Sequence, residues 1–423
     1  MKILFISLGC DKNLADSEEM LGLLTGSGHE IVDSEEEAEA IVINTCCFIH
    51  DAKEESVNTI LEMAEYKKTG KCKALVVTGC MAQRYKEEIT QEIPEVDAVL
   101  GTTSYGDIVK ALNEVQAGHV FQEFRDINEL PEDSGRRVLT TGGHFGYLKI
   151  AEGCDKHCTY CIIPKVRGNY RSVKMEYLID EAKKLAEQGV KELILVAQET
   201  TVYGTDLYGR KTLHILLKKL CQIRGIRWIR VLYCYPEEIY DELIQVMKEE
   251  KKICNYLDLP IQHASDRILK RMGRRTTRKQ LTDIITKLRR EIPDIVLRTS
   301  LITGFPGETQ EDHEELMEFV DEMEFDRLGV FTYSPEEGTP AESMEGQVPE
   351  EVKEERRDEI MSLQQEISLE KGSERIGQEL LVMIEGKVAD EDAYVGRSQA
   401  DAPGVDGYVS VSYTHLTLPT KLE

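Results

Sequence analysis

Twice along this chain, short apolar runs alternate with stretches whose apolar residues recur at helical spacing, and no other feature restricts the fold so much. The first series offers strands over 2–7, 40–44, 74–78 and 98–100. Runs of that length between amphipathic segments make βα units around a parallel sheet, so a doubly wound α/β domain is predicted. The second series offers strands over 147–151, 192–197, 228–233, 256–259, 296–302 and 327–332, with helical patterns over 175–188, 237–250, 278–290 and 310–323. Six such strands suit a partial TIM-like (β/α)6 barrel with its chemistry at the carboxyl ends of the strands. The segment 120–143 between the series is polar and irregular and reads as a linker. Past the second series, the charged stretch 349–375 predicts a long exposed helix, and 380–385 and 394–395 predict strands of a small all-β domain.

These boundaries give an amino-terminal domain at 1–117, a linker at 118–139, a core at 140–371 and a β domain at 372–423, a multidomain plan that suits 423 residues. No apolar run approaches the roughly 18 residues that span a bilayer, so no membrane partner is expected. The opening nine residues are apolar but lead into Cys10-Asp11-Lys12 without a cleavage site, which predicts a buried first strand and a cytoplasmic chain. In a reducing compartment its 11 cysteines are then metal ligands or nucleophiles before they are disulfides. A formal charge of −26 disfavours a large nucleic-acid footprint and favours a basic protein partner.

The densest local signal is Cys154-Asp155-Lys156-His157-Cys158-Thr159-Tyr160-Cys161, directly after the first strand of the second series. Three thiolates in one loop leave a four-iron cluster with one open iron, which a small molecule can occupy; a structural zinc site needs a fourth ligand, and His157 is badly placed to supply it. At the carboxyl rim stand Gln198-Glu199-Thr200, Gln262-His263 and Gly304-Phe305-Pro306-Gly307-Glu308. A second set is dispersed: Cys10, Cys46 and Cys80 each follow one of the first three strands, so a doubly wound sheet brings them to one edge. Cys47, Cys72, Cys221, Cys234 and Cys254 show no such pattern and are given no role.

The CxxxCxxC motif after a first barrel strand resembles the radical S-adenosylmethionine superfamily, and the two cysteine trios with a small β domain resemble the methylthiotransferase family over almost the whole chain. That resemblance implies two 4Fe-4S clusters, one on Cys154, Cys158 and Cys161 that generates a deoxyadenosyl radical, and an auxiliary one on Cys10, Cys46 and Cys80 that holds the sulfur to be methylated and inserted. It implies S-adenosyl-L-methionine as both methyl donor and radical source, with Gln198, Glu199, Arg298, Gly304 and Gly307 around it, and a low-potential electron donor such as flavodoxin or ferredoxin. The stretches 7–18, 152–168 and 394–398 resemble the branch that modifies a small-subunit ribosomal protein, S-twelve, at the β-carbon of an aspartate, although that branch usually carries proline where Asp11 stands. The same chemistry on a tRNA adenosine and a non-catalytic zinc-binding module that contacts ribosomes or RNA are the rival readings; the acidic charge makes tRNA the poorer partner. Residues 400–407 resemble the start of a TRAM module, here expected to be truncated, with a tail from about 412 that leaves the family pattern and is given no function.

Overall fold

The computed structural model describes residues 1–131, 135–389 and 391–412. Its first sheet is wholly parallel and has six strands: β1 (Lys2–Ser7), β2 (Glu30–Val32), β3 (Ala40–Thr45), β4 (Ala74–Gly79), β5 (Ala98–Leu100) and β6 (Phe121–Glu123), in the order β2-β1-β3-β4-β5-β6. β3 and β4 are buried along their whole length, as strands covered by helices on both faces must be. Two edge strands were not legible beforehand. β6 falls within the segment expected to be a linker, where Phe121 pairs with Ala98 and half-buries its ring against the core. Three residues that include Gln122 and Glu123 carry too little apolar pattern to announce a strand, and pairing with β5 decides it.

The chain then builds β7 (Phe145–Lys149), an antiparallel clamp of β8 (Ala151–Glu152) with β9 (Arg171–Ser172), and the strands β10 (Glu192–Val196), β11 (Trp228–Val231), β12 (Ile253–Asp258), β13 (Val296–Thr303) and β14 (Arg327–Thr332). β7 and β10 to β14 form a six-stranded parallel sheet in sequence order, with β7 and β14 at its two unjoined edges. Outward side chains such as Leu193, Leu195, Val231, Leu257, Leu297 and Leu301 share one core with Leu178, Leu216, Leu281, Ile285 and Phe319 of the surrounding helices. Inward ones, including Tyr147, Ile194, Trp228, Tyr256 and Val296, fill the lumen. This is the open barrel that the second series predicts.

The long helix Glu350–Glu374 is not simply exposed, because Lys353, Arg356, Ile360, Gln364 and Ile367 form one buried stripe at helical spacing. Lys353 Nζ donates to the Tyr333 carbonyl at 2.9 Å, Arg356 to Glu308 at 2.9 Å and Gln364 to the Phe325 carbonyl at 2.8 Å. A stripe made mostly of polar residues hides from a hydropathy reading.

The last sheet joins β15 (Met383–Lys387), β16 (Ala393–Arg397) and β17 (Val409–Ser412) in antiparallel order. Its loop from Ser398 to Asp406 closes the amino-terminal mouth of the barrel, where Glu192 and Arg327 begin their strands. Arg230 donates to the Gln399 carbonyl at 2.8 Å, Tyr256 to Asp406 at 2.6 Å and Arg327 to Asp401 at 2.7 Å, while Arg397 and Arg230 share Glu192. Ala402 is fully buried among the lumen side chains. Of the tail expected to leave the family pattern from about 412, Ser412 closes β17, and 413–423 lie outside the described residues. Among the described residues no helix is long and apolar enough to cross a membrane.

Candidate functional site

The CxxxCxxC loop leaves the carboxyl end of β7 and is tied down by backbone bonds: Cys154 N–H to the Gly168 carbonyl at 3.1 Å, Cys161 N–H to Cys158 at 3.0 Å and Thr159 N–H to Met272 at 2.9 Å. Cys154 and Cys158 are buried and Cys161 is partly so. Burial pushes the Cys154 thiol up to about 11, and Cys158 adds its charge to that effect. Burial with the same neighbour raises Cys161 further, so positive charge brought in beside them favours ionisation of both. Behind the loop the Tyr235 hydroxyl lies 3.7 Å from Cys158 Sγ, with the Arg274 guanidinium 4.3 Å from the Tyr235 ring centre. His157 is exposed, with φ +53°. It does not close a tetrahedron, and among the described residues no group of three or more His, Cys, Asp or Glu is gathered onto a single ion. A four-iron cluster makes no such demand, because each thiolate binds its own iron.

Beside this loop, Glu199 is 1% exposed. Burial raises its carboxyl to about 7 against the pull of Thr201 and Lys156. Its Oε1 accepts from the Thr201 N–H at 2.9 Å, while its Oε2 has no hydrogen bond and stands 4.0 Å from Lys156 Nζ. The Gln198 Oε1 and two Arg274 nitrogens, Nε and Nη1, are likewise buried without partners. Thr200 donates to the Leu232 carbonyl, one residue past β11. Arg298 lies inside the barrel, donating to Asp258 at 2.7 Å and standing 3.6 Å from Asp406, so it meets the loop of the last domain. Gly304 faces the long helix, where a Cβ would meet Lys353, and a Cβ on Gly307 would stand 3.0 Å from the Arg271 guanidinium. His263 is fully buried, accepts from the Ser265 N–H at 2.9 Å and turns its other nitrogen toward Glu308 at 3.6 Å.

Cys10, Cys46 and Cys80 follow β1, β3 and β4, and the order of the first sheet reverses between β1 and β3. Folds of this kind bind ligands at that switch point. Gly9, at φ +93°, lets the first turn pass so close to the second that an added Cβ would lie 2.8 Å from Cys46 Cβ. Burial pushes Cys46 up to about 12, with Cys80 and Cys10 adding to the effect and Arg167 opposing it. Cys10, which is exposed, and the buried Cys80 both lie near enough to act on Cys46, and Cys10 lies near enough to act on Cys80. Asp11, in the place where proline was expected, opens the first helix and accepts from the Tyr233 hydroxyl at 3.1 Å. A carboxylate in a first helical turn is favourable in itself.

Polar residues that the sequence reading passed over join the two trios. Lys149 ends β7 and pairs with Asp16 and, at 2.7 Å, with Glu152. Arg167, 2% exposed, donates to Asp16 at 2.8 Å, to Glu152 at 3.2 Å and to Asn13. Its Nε reaches Cys80 Sγ at 3.3 Å. Burial works to raise the Glu152 carboxyl, yet Lys149 and Arg167 hold it down to about 2. The available signal was the first helix, Asp11–Gly26, whose buried face carries Lys12, Asn13, Asp16 and Ser17.

Comparison with known proteins sorts these features. Residues 2–101 match the model of "Uncharacterized protein family UPF0004", 148–320 the radical SAM superfamily and 376–418 the TRAM domain. The ribosomal protein uS12 methylthiotransferase RimO of Lachnoclostridium phytofermentans is 65% identical over 97% of this chain and 93% of its own. Its counterparts in Clostridioides difficile and Pelotomaculum thermopropionicum are 51% and 52% identical, each over 97% of this chain and 92% of theirs. The chain belongs to the RimO family of methylthiotransferases. Solved structures agree on fold: the radical S-adenosylmethionine methyltransferase TsrM from Kitasatospora setae, with cobalamin and a [4Fe-4S] cluster bound, aligns at TM-score 0.57 and 14% identity over 80% of this chain and 76% of that one. The cobalamin-dependent radical enzyme OxsB aligns at 0.54 and 14% identity over 87% and 56%.

RimO membership and the radical SAM match imply a 4Fe-4S cluster and S-adenosylmethionine. The residues present fit them. The barrel loop offers three sulfur donors, and the unpartnered Gln198, Glu199 and Arg274 atoms beside it offer acceptors and donors to a polar, zwitterionic molecule.

Proposed function

We infer that this chain methylthiolates ribosomal protein uS12 at the β-carbon of an aspartate. Identity of 65% and 51% to uS12 methylthiotransferases along nearly the full chain carries the reading. We assign Cys154, Cys158 and Cys161 to the radical SAM cluster and Cys10, Cys46 and Cys80 to an auxiliary 4Fe-4S cluster that holds the sulfur. With cluster and S-adenosylmethionine bound at the barrel trio, the chemistry supplied is one-electron cleavage of a sulfonium, which allows hydrogen abstraction from carbon. The surrounding residues bind and shield. Glu199 Oε2 and Gln198 Oε1 accept from the cofactor's donor groups, and Arg274 holds positive charge behind Tyr235 and Cys158. Gly304 and Gly307 let the long helix and Arg271 close the rim beside them, while Arg298 fixes the floor.

The electron donor is proposed to be a flavodoxin or ferredoxin and the compartment the cytoplasm, which suits 11 cysteines that all remain free thiols. A chain of net charge −26 attracts a basic ribosomal protein and repels nucleic acid. The deciding experiment supplies anaerobically reconstituted protein, reductant and S-adenosylmethionine to a uS12 peptide and, separately, to tRNA. Mass analysis should find one added methylthio group on the peptide aspartate and about eight irons per chain, as two four-iron clusters require. Modified tRNA beside an untouched peptide would overturn the substrate, and zinc in place of iron the chemistry.

A further inference from the structure

Arg167 belongs to the barrel, yet its side chain ends among the cysteines of the other domain. It closes the short helix Ile163–Arg167 that follows the CxxxCxxC loop and is 2% exposed. Its planar fork is fully directed, with Nε on Cys80 Sγ at 3.3 Å, Nη1 between Asp16 at 2.8 Å and Glu152 at 3.2 Å, and Nη2 on the Asn13 Oδ1. Asn13 is fixed in turn, because its Nδ2 donates to the Leu8 carbonyl at 3.1 Å and the Thr45 carbonyl at 3.0 Å. Those carbonyls lie just before Cys10 and Cys46, so one guanidinium and one amide register all three turns. Only arginine presents several donors in one rigid plane; lysine would bring the charge without the fork. Lys149 and Arg167 balance Asp16 and Glu152, leaving the Nε–H free to meet a thiolate in a dry site. Hydrogen bonds to ligand sulfur and nearby charge set the potential of an iron-sulfur cluster.

We propose that Arg167 is a positioning residue of the auxiliary centre, which fixes the Cys80 sulfur and raises the reduction potential of the cluster held there; this rests on the assignment of Cys10, Cys46 and Cys80 as cluster ligands. The segment from Cys154 to Arg167 then serves both centres, its cysteines one and its last side chain the other.

The test uses the full chain with Cys154, Cys158 and Cys161 replaced by alanine, reconstituted so that the auxiliary cluster is the one under observation, and reads its potential by titration with electron paramagnetic resonance. Arg167→Gln should move the midpoint to more negative potential and change the resonance signal, and Arg167→Lys should give a smaller shift. An unchanged midpoint and signal in Arg167→Gln, with iron retained, overturns the proposal. If Arg167→Gln takes up no iron, Arg167→Lys decides: a parental midpoint refutes the directed N–H···S bond, whereas loss of iron from both variants with parental circular dichroism supports the positioning role. Cys80→Ala in the same background separates the premises, because iron content unaffected by it refutes the ligand assignment itself.

Discussion

Cys46, just past β3, and Cys158, inside the CxxxCxxC loop, are both buried thiols, and what separates them is the company they keep. Cys158 lies beside Tyr235, over whose ring the Arg274 guanidinium stands, whereas Cys46 lies beside Cys80 and Gly9. Cys158→Ala should therefore abolish formation of 5'-deoxyadenosine from S-adenosylmethionine. Cys46→Ala should leave that product largely intact and remove the methylthio product, which liquid chromatography of one reaction mixture reads for both. Glu19 tests the electrostatics elsewhere. Burial raises its carboxyl from 4.5 to about 7 against the pull of Lys149 and the Tyr105 hydroxyl, which donates to it at 2.8 Å. The native state keeps this proton up to about pH 7, while the unfolded chain gives it up near 4.5. Through this group, stability therefore falls as pH rises across that window. Glu19→Gln should raise the free energy of unfolding at pH 8, read by urea denaturation, by on the order of 1–2 kcal/mol for a side chain that keeps some contact with water, and leave it nearly unchanged below pH 4.5.

Among the elements, the turn after β4 carries the narrowest tolerance. Gly79 adopts φ +93°, and a Cβ there would collide with Asn44 and come within 2.5 Å of the Thr45 carbonyl. Gly79→Ala should cost about 1–3 kcal/mol in urea denaturation and lower the iron content toward that of one cluster, since the strain falls on the turn that presents Cys80. The strands flanking such turns were legible because their apolar runs are continuous; β1, β5 and β14 have the bounds that the pattern predicts. Placement of Cys10, Cys46 and Cys80 at strand ends followed from the same pattern. β2 and β6 were not legible because, unlike the equally short but wholly apolar β5, Glu30–Val32 and Phe121–Glu123 mix charged or polar residues with apolar ones and are decided by their neighbours. Nor were Arg167, Lys149 and Asp16, whose meaning depends on how one domain sits on another, a fact that no local spacing contains. The long helix Glu350–Glu374 misled for a related reason, since its buried face sets lysine, arginine and glutamine beside only two isoleucines.

At the scale of the whole molecule, both flanking domains are fastened to the barrel by buried ion pairs. Asp16 meets Lys149 and Arg167 on one side, and Glu192 meets Arg230 and Arg397 on the other. Breaking such a pair from one side leaves a charge stranded, at about 3–5 kcal/mol. Arg397→Ala removes donors from Glu192, Glu385 and the Asp401 carbonyl together. It should loosen the last domain, so that limited proteolysis between the long helix and β15 becomes many-fold faster while the barrel fragment survives. The loop from Ser398 to Asp406 gives that fastening a consequence in time. Arg230 and Tyr256 receive their acceptors Gln399 and Asp406 from far along the chain. At about 5–20 residues per second, roughly ten to thirty-five seconds of synthesis separate Arg230 from Asp406. A nascent barrel emerging from the ribosome therefore waits with polar side chains unsatisfied in its throat, and its final annealing belongs to the end of translation.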